Sequence, residues 1–358
     1  MNIQSILSHP HLRAVQVLRA VCAKQSPTWS IRHYYAGIAS SHRSTTPRCG
    51  SAHDAPRNDT ALAQPSLHRI TGSALRMIVV LFKLRVVGLL LFAAVTGALL
   101  GSNGKPATFD LIILIITGGL AAAGASSLNQ YLERQQDVFM RRTARRPLAM
   151  GAIAQPHLVL IVGTALVIFS SIIAFLYNPA LGFFVAAGAV IYVGVYTIWL
   201  KPRTWLNIVI GGAAGSCAVL SGGAAVGAWT APSVIALALL VFAWTPVHFW
   251  SLALAHRDDY AAAHVPMLPV VTTPLRAAIG ICLHALASGA IALWLGMELR
   301  WDWLYLLISV PATAILFFYS ARLLRRPDRS GAWSVFHISN LYLGVILFAL
   351  ALALAVWI

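Results

Sequence analysis

The chain has 358 residues, of which 59% are hydrophobic and only 10% charged, with a mean hydropathy of +0.76. A water-soluble domain of this length needs far more charge to cover its surface, so the composition excludes one and implies an exterior that faces lipid. Lys and Arg outnumber Asp and Glu by 26 to 10, a formal charge of +16, but the cations lie in short loops and in the leader, which reads as membrane orientation rather than as a nucleic-acid surface.

Residues 1 to about 72 differ from everything after them. No acid precedes Asp54, while Arg13, Arg19, Lys24, Arg32, Arg43 and Arg48 are scattered among Ser, His and Ala. That composition fits an organellar transit peptide. A bacterial N-terminal extension, or an upstream start codon, accounts for it equally well. On either reading 1–72 stands outside the fold and 73–358 is the membrane domain. Four cysteines, Cys22, Cys49, Cys217 and Cys282, form no CxxC or CxxCH pattern and give no disulfide framework or zinc site.

From Met77 on, apolar runs recur at 77–101, 109–130, 156–176, 180–200, 206–226, 231–255, 275–296, 303–323 and 338–358. Each approaches the ~20 residues that ~30 Å of hydrocarbon requires. Breaks such as Gly101 to Pro106, Asn178-Pro179 and Lys201-Pro202 separate them. The expected fold is all-α, a polytopic bundle of nine transmembrane helices around a central cavity. One set of loops carries Arg141, Arg142, Arg145, Arg146, Lys201, Arg203, Arg257, Arg322, Arg325, Arg326 and Arg329; the opposite set carries Lys105 and Arg300. The asymmetry places the N-terminus inside and the C-terminus outside.

The second span ends in NQYLERQQDVFMRRTARRPL. Asn129, Glu133 and Asp137 are spaced by four, which on a helix sets all three along one face. Three oxygen donors in a line at a membrane edge suit Mg²⁺, which takes a few carboxylates and completes its shell with water and phosphate. A purely structural reading pairs the two acids with the arginines that follow. Those arginines, Arg141, Arg142, Arg145 and Arg146, are equally fit to hold phosphate oxygens in two-point hydrogen bonds.

The sixth span ends in HFWSLALAHRDDYAAAHVPMLPV. Asp258 and Asp259 are neighbours, so on a helix they diverge by about 100° and only one faces a given site. His248 and His256 lie roughly two turns apart. A histidine within an apolar span needs a partner, either a neighbouring helix or a bound ligand. Four of the chain's acids, Glu133, Asp137, Asp258 and Asp259, therefore cluster in two loops predicted on one membrane face.

An N-x-x-x-[DE]-x-x-x-D motif after span two, a second acidic loop after span six and nine spans resemble the UbiA-type intramembrane prenyltransferases. The segments ERQQDVFMRRTARRPL, YTIWLKPRTWLNIVIGGAAG and HFWSLALAHRDDYAAAHVPMLPV are similar to the heme-farnesylating branch of that family, over about residues 77 to 350. The resemblance implies a UbiA-like bundle that transfers the farnesyl group of farnesyl diphosphate to a vinyl group of heme b, adds water to give heme O, and releases diphosphate. It implies Mg²⁺ as cofactor, at Asn129, Glu133 and Asp137, with the Asp258/Asp259 loop completing the catalytic set. Lys83, Arg85, Arg141, Arg145, Arg146, Lys201 and Arg203 would hold the diphosphate; His248, His256 and Tyr260 would contact substrate, His248 through a porphyrin carboxylate or the iron. Implied partners are membrane lipid and a downstream heme A synthase or cytochrome oxidase assembly, with no nucleic acid. The implied location is the bacterial inner membrane, or the mitochondrial one if the leader is a transit peptide.

Two positions depart from the family pattern. Lys83 to Arg85 reads KLR where KPR is usual, and His256 and Tyr260 occupy the outer positions of the superfamily's second D-x-x-x-D motif. Gly211 and Gly215 form a GxxxG pair suited to close helix packing, or to a groove for the farnesyl tail. His337, in the ninth span, reads as packed. Rival readings are a quinone-precursor or chlorophyllide acceptor and, in another class, a heme carrier or transporter. Transporters place polar groups near the bilayer midplane; here they gather at one edge.

Overall fold

The computed structural model of the chain describes residues 76–356. The leader, its boundary at residue 72, Cys22 and Cys49 lie outside the described residues. Among the described residues nine helices are long and apolar enough to cross a bilayer: α1 Leu84–Gly101, α2 Thr108–Asp137, α3 Pro156–Tyr177, α4 Pro179–Leu200, α5 Asn207–Ala225, α6 Pro232–Ala255, α7 Pro274–Glu298, α8 Trp303–Arg325 and α9 Arg329–Val356. The expected all-α bundle of nine spans is what forms.

Local chemistry sets many of the helix starts. Pro156, Pro179, Pro232 and Pro274 open their helices, where a missing N–H costs nothing. Side chains cap others: Asn178 Oδ1 accepts from the Ala180 and Leu181 amides at 2.9 and 3.2 Å, and Asp302 Oδ1 from the Tyr305 amide at 2.7 Å. Three boundaries differ from the sequence reading. Helix α2 runs on to Asp137, beyond the expected end at 130, because one face of its polar last turns (Asn129, Gln130, Glu133 and Asp137) is buried inside the protein. Helix α9 begins at Arg329 rather than 338: Asp328 Oδ1 takes the Gly331 amide at 2.6 Å, and Phe336 and Trp333 then pack against His248 of α6 and His256 just after it. The first apolar run is broken at Phe82-Lys83, where Lys83 adopts the left-handed conformation (φ 49°, ψ 46°) before α1.

Each helix packs on the next in chain order, and α9 closes back on α1; α1 also meets α5, and α6 meets α9, across the ring. In its most apolar stretch α6 is 67% buried while α3 and α8 are 22% buried, so α6 is the inner helix and the other two face lipid. Ile116, Ile161, Phe169, Leu176, Leu307 and Phe318 are exposed as a bilayer allows. Small residues close the seams. A Cβ at Gly222 would sit 1.8 Å from Ala94 O, so α5 and α1 touch backbone to backbone. A Cβ at Gly211 would meet the Tyr196 ring at 2.8 Å, which gives the GxxxG pair its packing role.

Candidate functional site

The last two turns of α2 carry the acid line inward. Asn129, Glu133 and Asp137 are 2%, 5% and 1% exposed, so the three groups spaced by four share one buried face. Buried carboxylates require partners, and each of the three residues has a cation. Lys83 Nζ donates to Asn129 Oδ1 at 2.7 Å, Lys201 Nζ to Glu133 Oε1 at 2.5 Å, and Arg146 Nη1 to Asp137 Oδ2 at 2.7 Å. Arg146 also stands 4.0 Å from Glu133 Oε2. Asn129 Nδ2 ties the line together, donating to Glu133 Oε1 at 2.8 Å and to Thr197 Oγ1 at 3.0 Å.

Three different segments deliver those cations. Lys83 comes from the broken turn before α1. Arg146 comes from the loop after α2, which folds back through turns at Met140 and Thr143; Thr143 Oγ1 donates to Asp137 O at 3.1 Å. Lys201 follows the lower half of α4, where residues Ile191–Leu200 are wound as a π-helix. The winding decides which side chains meet. Nine residues separate Tyr192 from Lys201, about two and a half turns of an α-helix, which would set them on opposite faces. Bonding from i to i+5, as in Lys201 N to Tyr196 O at 2.8 Å, shortens that to about two turns and brings them back together. Tyr192 and Tyr196 stack with ring centroids 5.9 Å apart, Lys83 Nζ donates to Tyr192 Oη at 3.0 Å, and Lys201 Nζ lies 5.6 Å from the Tyr196 centroid.

The electrostatics are asymmetric. Burial, with Arg146 adding to it, pushes the Lys83 ammonium down to about 7. Burial works against Lys201 as well, yet Glu133, Tyr196 and Tyr260 outweigh it and hold its pKa above the usual lysine value. Two carboxylates and three cations leave a formal +1 at the site. Asp137 Oδ1 is buried without a hydrogen-bond partner. Among the described residues no three His, Cys, Asp or Glu side chains form a metal cluster by themselves. A cation here would draw on the Asn129 amide oxygen, the two carboxylates and oxygens from outside the protein.

The second acidic segment is a short helix, Arg257–Ala262, after α6. Asp258 is exposed and Asp259 turns back to His256 Nδ1 at 3.3 Å, so the two neighbours diverge as expected. His256 Nε2 is buried without a partner, and its ring meets Trp333 edge-on at 5.2 Å. Tyr260 is buried and lies within electrostatic reach of Lys201 and Tyr196, which joins this segment to the acid line. His248 is held otherwise. Its ring is stacked between Trp244 (4.8 Å) and Phe336 (4.6 Å), and its Nδ1 lies 3.1 Å from Ser339 Oγ. Arg142 is within electrostatic reach of it. His337 stacks on Trp333, one turn earlier on α9, at 5.4 Å but is itself exposed, not packed in the interior as expected.

Of the residues singled out in the sequence, Lys83, Asn129, Glu133, Asp137, Arg146 and Lys201 form one network, and Tyr260 adjoins it. Arg85, Arg141, Arg145, Arg203 and Asp258 are exposed at its rim. Arg203 donates to Ile198 O and Trp199 O at 3.0 and 2.8 Å and so caps the end of α4. The structural reading of the acids as arginine partners holds for Asp137 and, at 4.0 Å, for Glu133, whose nearer cation is Lys201, 68 residues on. Tyr192, Tyr196 and Thr197 belong to the network, and Gln130, bonded to Val80 O and Leu81 O, lies beside it; the sequence reading names none of the four as site residues. Their signal was polar residues inside apolar runs, just before Lys201 and beside Asn129.

Residues 90–343 match the UbiA prenyltransferase family. The chain is 39% identical over 269 residues to the protoheme IX farnesyltransferase of Sulfolobus acidocaldarius, covering 75% of this chain and 93% of that one. In fold it resembles a digeranylgeranylglyceryl phosphate synthase (TM-score 0.66, 16% identity, 78% of this chain and 98% of the other). It also resembles a UbiA homologue from Archaeoglobus fulgidus bound to GPP and Mg²⁺ (TM-score 0.52, 14% identity, 76% and 99%). With nine spans of the expected order and an acid line on the second, the chain is an integral membrane protein that belongs to the UbiA prenyltransferase family.

Proposed function

We propose that this protein farnesylates heme b, breaking the C–O bond of farnesyl diphosphate and joining the farnesyl carbon to a heme vinyl group, with water adding to give the hydroxyethylfarnesyl chain of heme O. The observation that carries the reading is the buried line Asn129–Glu133–Asp137 with a cation on every member. Such a site is built to receive a strongly anionic group while excluding water. The near-40% identity to protoheme IX farnesyltransferases over nearly their whole length supports heme as the acceptor.

The donor set fits Mg²⁺: oxygen atoms only, two carboxylates, and a buried Asp137 Oδ1 awaiting a partner. When bound, Mg²⁺ would neutralise diphosphate oxygens and stabilise the negative charge that develops as diphosphate leaves. The rest is the work of the chain. Asn129, Glu133 and Asp137 hold the cation side of the site. Lys83, Arg146 and Lys201 exchange a protein oxygen for a phosphate oxygen as substrate enters, so charge is compensated throughout. The +1 of the empty network plus one Mg²⁺ gives about +3, enough to match the fully ionised diphosphate of the prenyl donor. Arg141, Arg145, Arg85 and Arg203, exposed at the rim, draw the anion in from solvent. The Tyr192 and Tyr196 rings, 5.7 and 5.6 Å from the Lys83 and Lys201 ammoniums, are π-faces that attract positive charge and would favour a nearby allylic cation. His256, anchored by Asp259, and Tyr260 border the acceptor, with Asp258 at the mouth; His248, sandwiched by aromatic rings, shapes that wall.

All of this lies on the face predicted inside, where the loop arginines cluster, and that clustering supports entry of both substrates from that side. The test is heme extraction and mass analysis from cells lacking this gene and then regaining it. Heme O should vanish and return. Its persistence without the gene, or a prenylated quinone ring in place of heme O, would overturn the proposal.

A further inference from the structure

We propose that Gln130 is a positioning residue: it holds Lys83 over the acid line and thereby tunes affinity for the prenyl diphosphate, an inference that rests on the function proposed above.

Gln130 neighbours Asn129 on α2, so the two side chains diverge by about 100°. Asn129 faces the acid line; Gln130, 0% exposed, faces the segment entering α1. Its Nε2 donates to Val80 O at 2.8 Å and to Leu81 O at 2.7 Å. Those carbonyls close the helical segment 76–81. In an unbroken helix they would accept from the amides of residues 84 and 85; the break at Phe82-Lys83 takes those donors away and leaves Val80 O the Lys83 amide, at 3.3 Å. One side-chain amide has two hydrogens, and both are used to replace them.

The break is what aims Lys83. A non-glycine residue at φ 49° is strained, and it persists only where surrounding structure fixes it. Gln130 is that fixture on the upstream side. On the far side, Lys83 Nζ reaches Asn129 Oδ1 and Tyr192 Oη at 2.7 and 3.0 Å. A continuous helix through residue 83 would carry its side chain around the helix instead. The adjacent pair Asn129-Gln130 thus has divided roles, with one residue in the acid line and the other clamping the backbone that brings a cation to it.

Binding and exchange measurements on the full chain in nanodiscs test this. Gln130→Met keeps the side chain's length and removes both donors. Its Kd and KM for farnesyl diphosphate with Mg²⁺ should rise about tenfold, the scale of losing hydrogen bonds that fix a charged group. The KM for heme b should stay within about twofold, and amide exchange at 76–83 should quicken while α2 remains protected. In a Lys83→Gln background the same change should add less than about twofold, because an effect exerted through Lys83 vanishes without it. An undiminished effect in that background would overturn the inference, as would an unchanged Kd, or both KM values rising together with a lower Tm. Should the wild type bind no farnesyl diphosphate, the proposed function falls. Exchange at 76–83 then still decides whether Gln130 clamps the segment.

Discussion

The acid line closing α2 and the acidic segment after α6 have the same look in sequence, carboxylates beside arginines at the end of an apolar run, and the protein treats them oppositely. The first is buried, and each polar group has a cation from another part of the chain. The second leaves Asp258 in the open and spends Asp259 on His256. Burial is the dividing factor. Inside the protein an unpaired carboxylate costs several kcal/mol, so the first motif exists only as part of a network. At the rim water pays that cost, and the second motif can stay loose until a substrate arrives. On the proposed function, one segment is a preformed anion receptor and the other borders it through Tyr260.

Substitutions can break that contrast. The largest effect is expected for Asp137→Asn, which removes one of two carboxylates and the oxygen left unpartnered. Prenyl transfer should fall by about 10³-fold or more while the protein stays inserted, since deleting a charge-stabilising group costs ~4 kcal/mol or above. Steady-state turnover with a parallel unfolding curve checks it. Lys201→Ala comes next and should strike stability: Glu133 is left buried with its 2.5 Å partner gone, a loss of about 3–5 kcal/mol read as a lowered Tm. Asp259→Asn, which weakens only the anchor of His256, should cost about tenfold in kcat/KM. Asp258→Asn should cost about twofold, as an exposed charge does. If Asp258 proved as damaging as Asp137, the contrast between the motifs would be wrong.

A pH experiment sharpens it further. Lys83 sits at about 7 in the free protein, well below the 10.5 of an ordinary lysine. Diphosphate favours its charged form, so above pH 7 binding should take up a proton, and affinity should weaken as pH rises from 7 toward 10. Calorimetry in buffers of different ionisation enthalpy counts that proton; Lys83→Arg, which stays charged, should abolish the uptake. Over the same window the free protein should become more stable as pH rises, because the unfolded chain holds the lysine proton that the folded one has lost.

How much of this the sequence held varies with the physics. Span number followed from hydrocarbon thickness and apolar run length, which a linear reading captures. The one-face alignment of Asn129, Glu133 and Asp137 followed from helical spacing. Lys201 with Glu133 could not, for their meeting depends on a π-wound turn that no spacing rule anticipates; read as an α-helix, α4 turns Tyr192 and Lys201 apart. The kink at Lys83 was hidden for a similar reason, because the apolar run continues through it and the compensating donors come from Gln130, 47 residues later. Polarity after residue 130 predicts the membrane edge and an early end to α2, whereas it marks one buried face of a longer helix.

The account stands on the cation-capped acid line as the receiver of a prenyl diphosphate in the service of heme chemistry. Its most direct test is diphosphate release by the purified wild type and by Asp137→Asn, with farnesyl diphosphate, heme b and Mg²⁺, followed by mass analysis of the porphyrin. Wild type should release diphosphate in step with a heme that has gained one farnesyl group and one hydroxyl from water, and the variant should do neither. Equal release by both proteins, or release with the porphyrin unaltered, would contradict it.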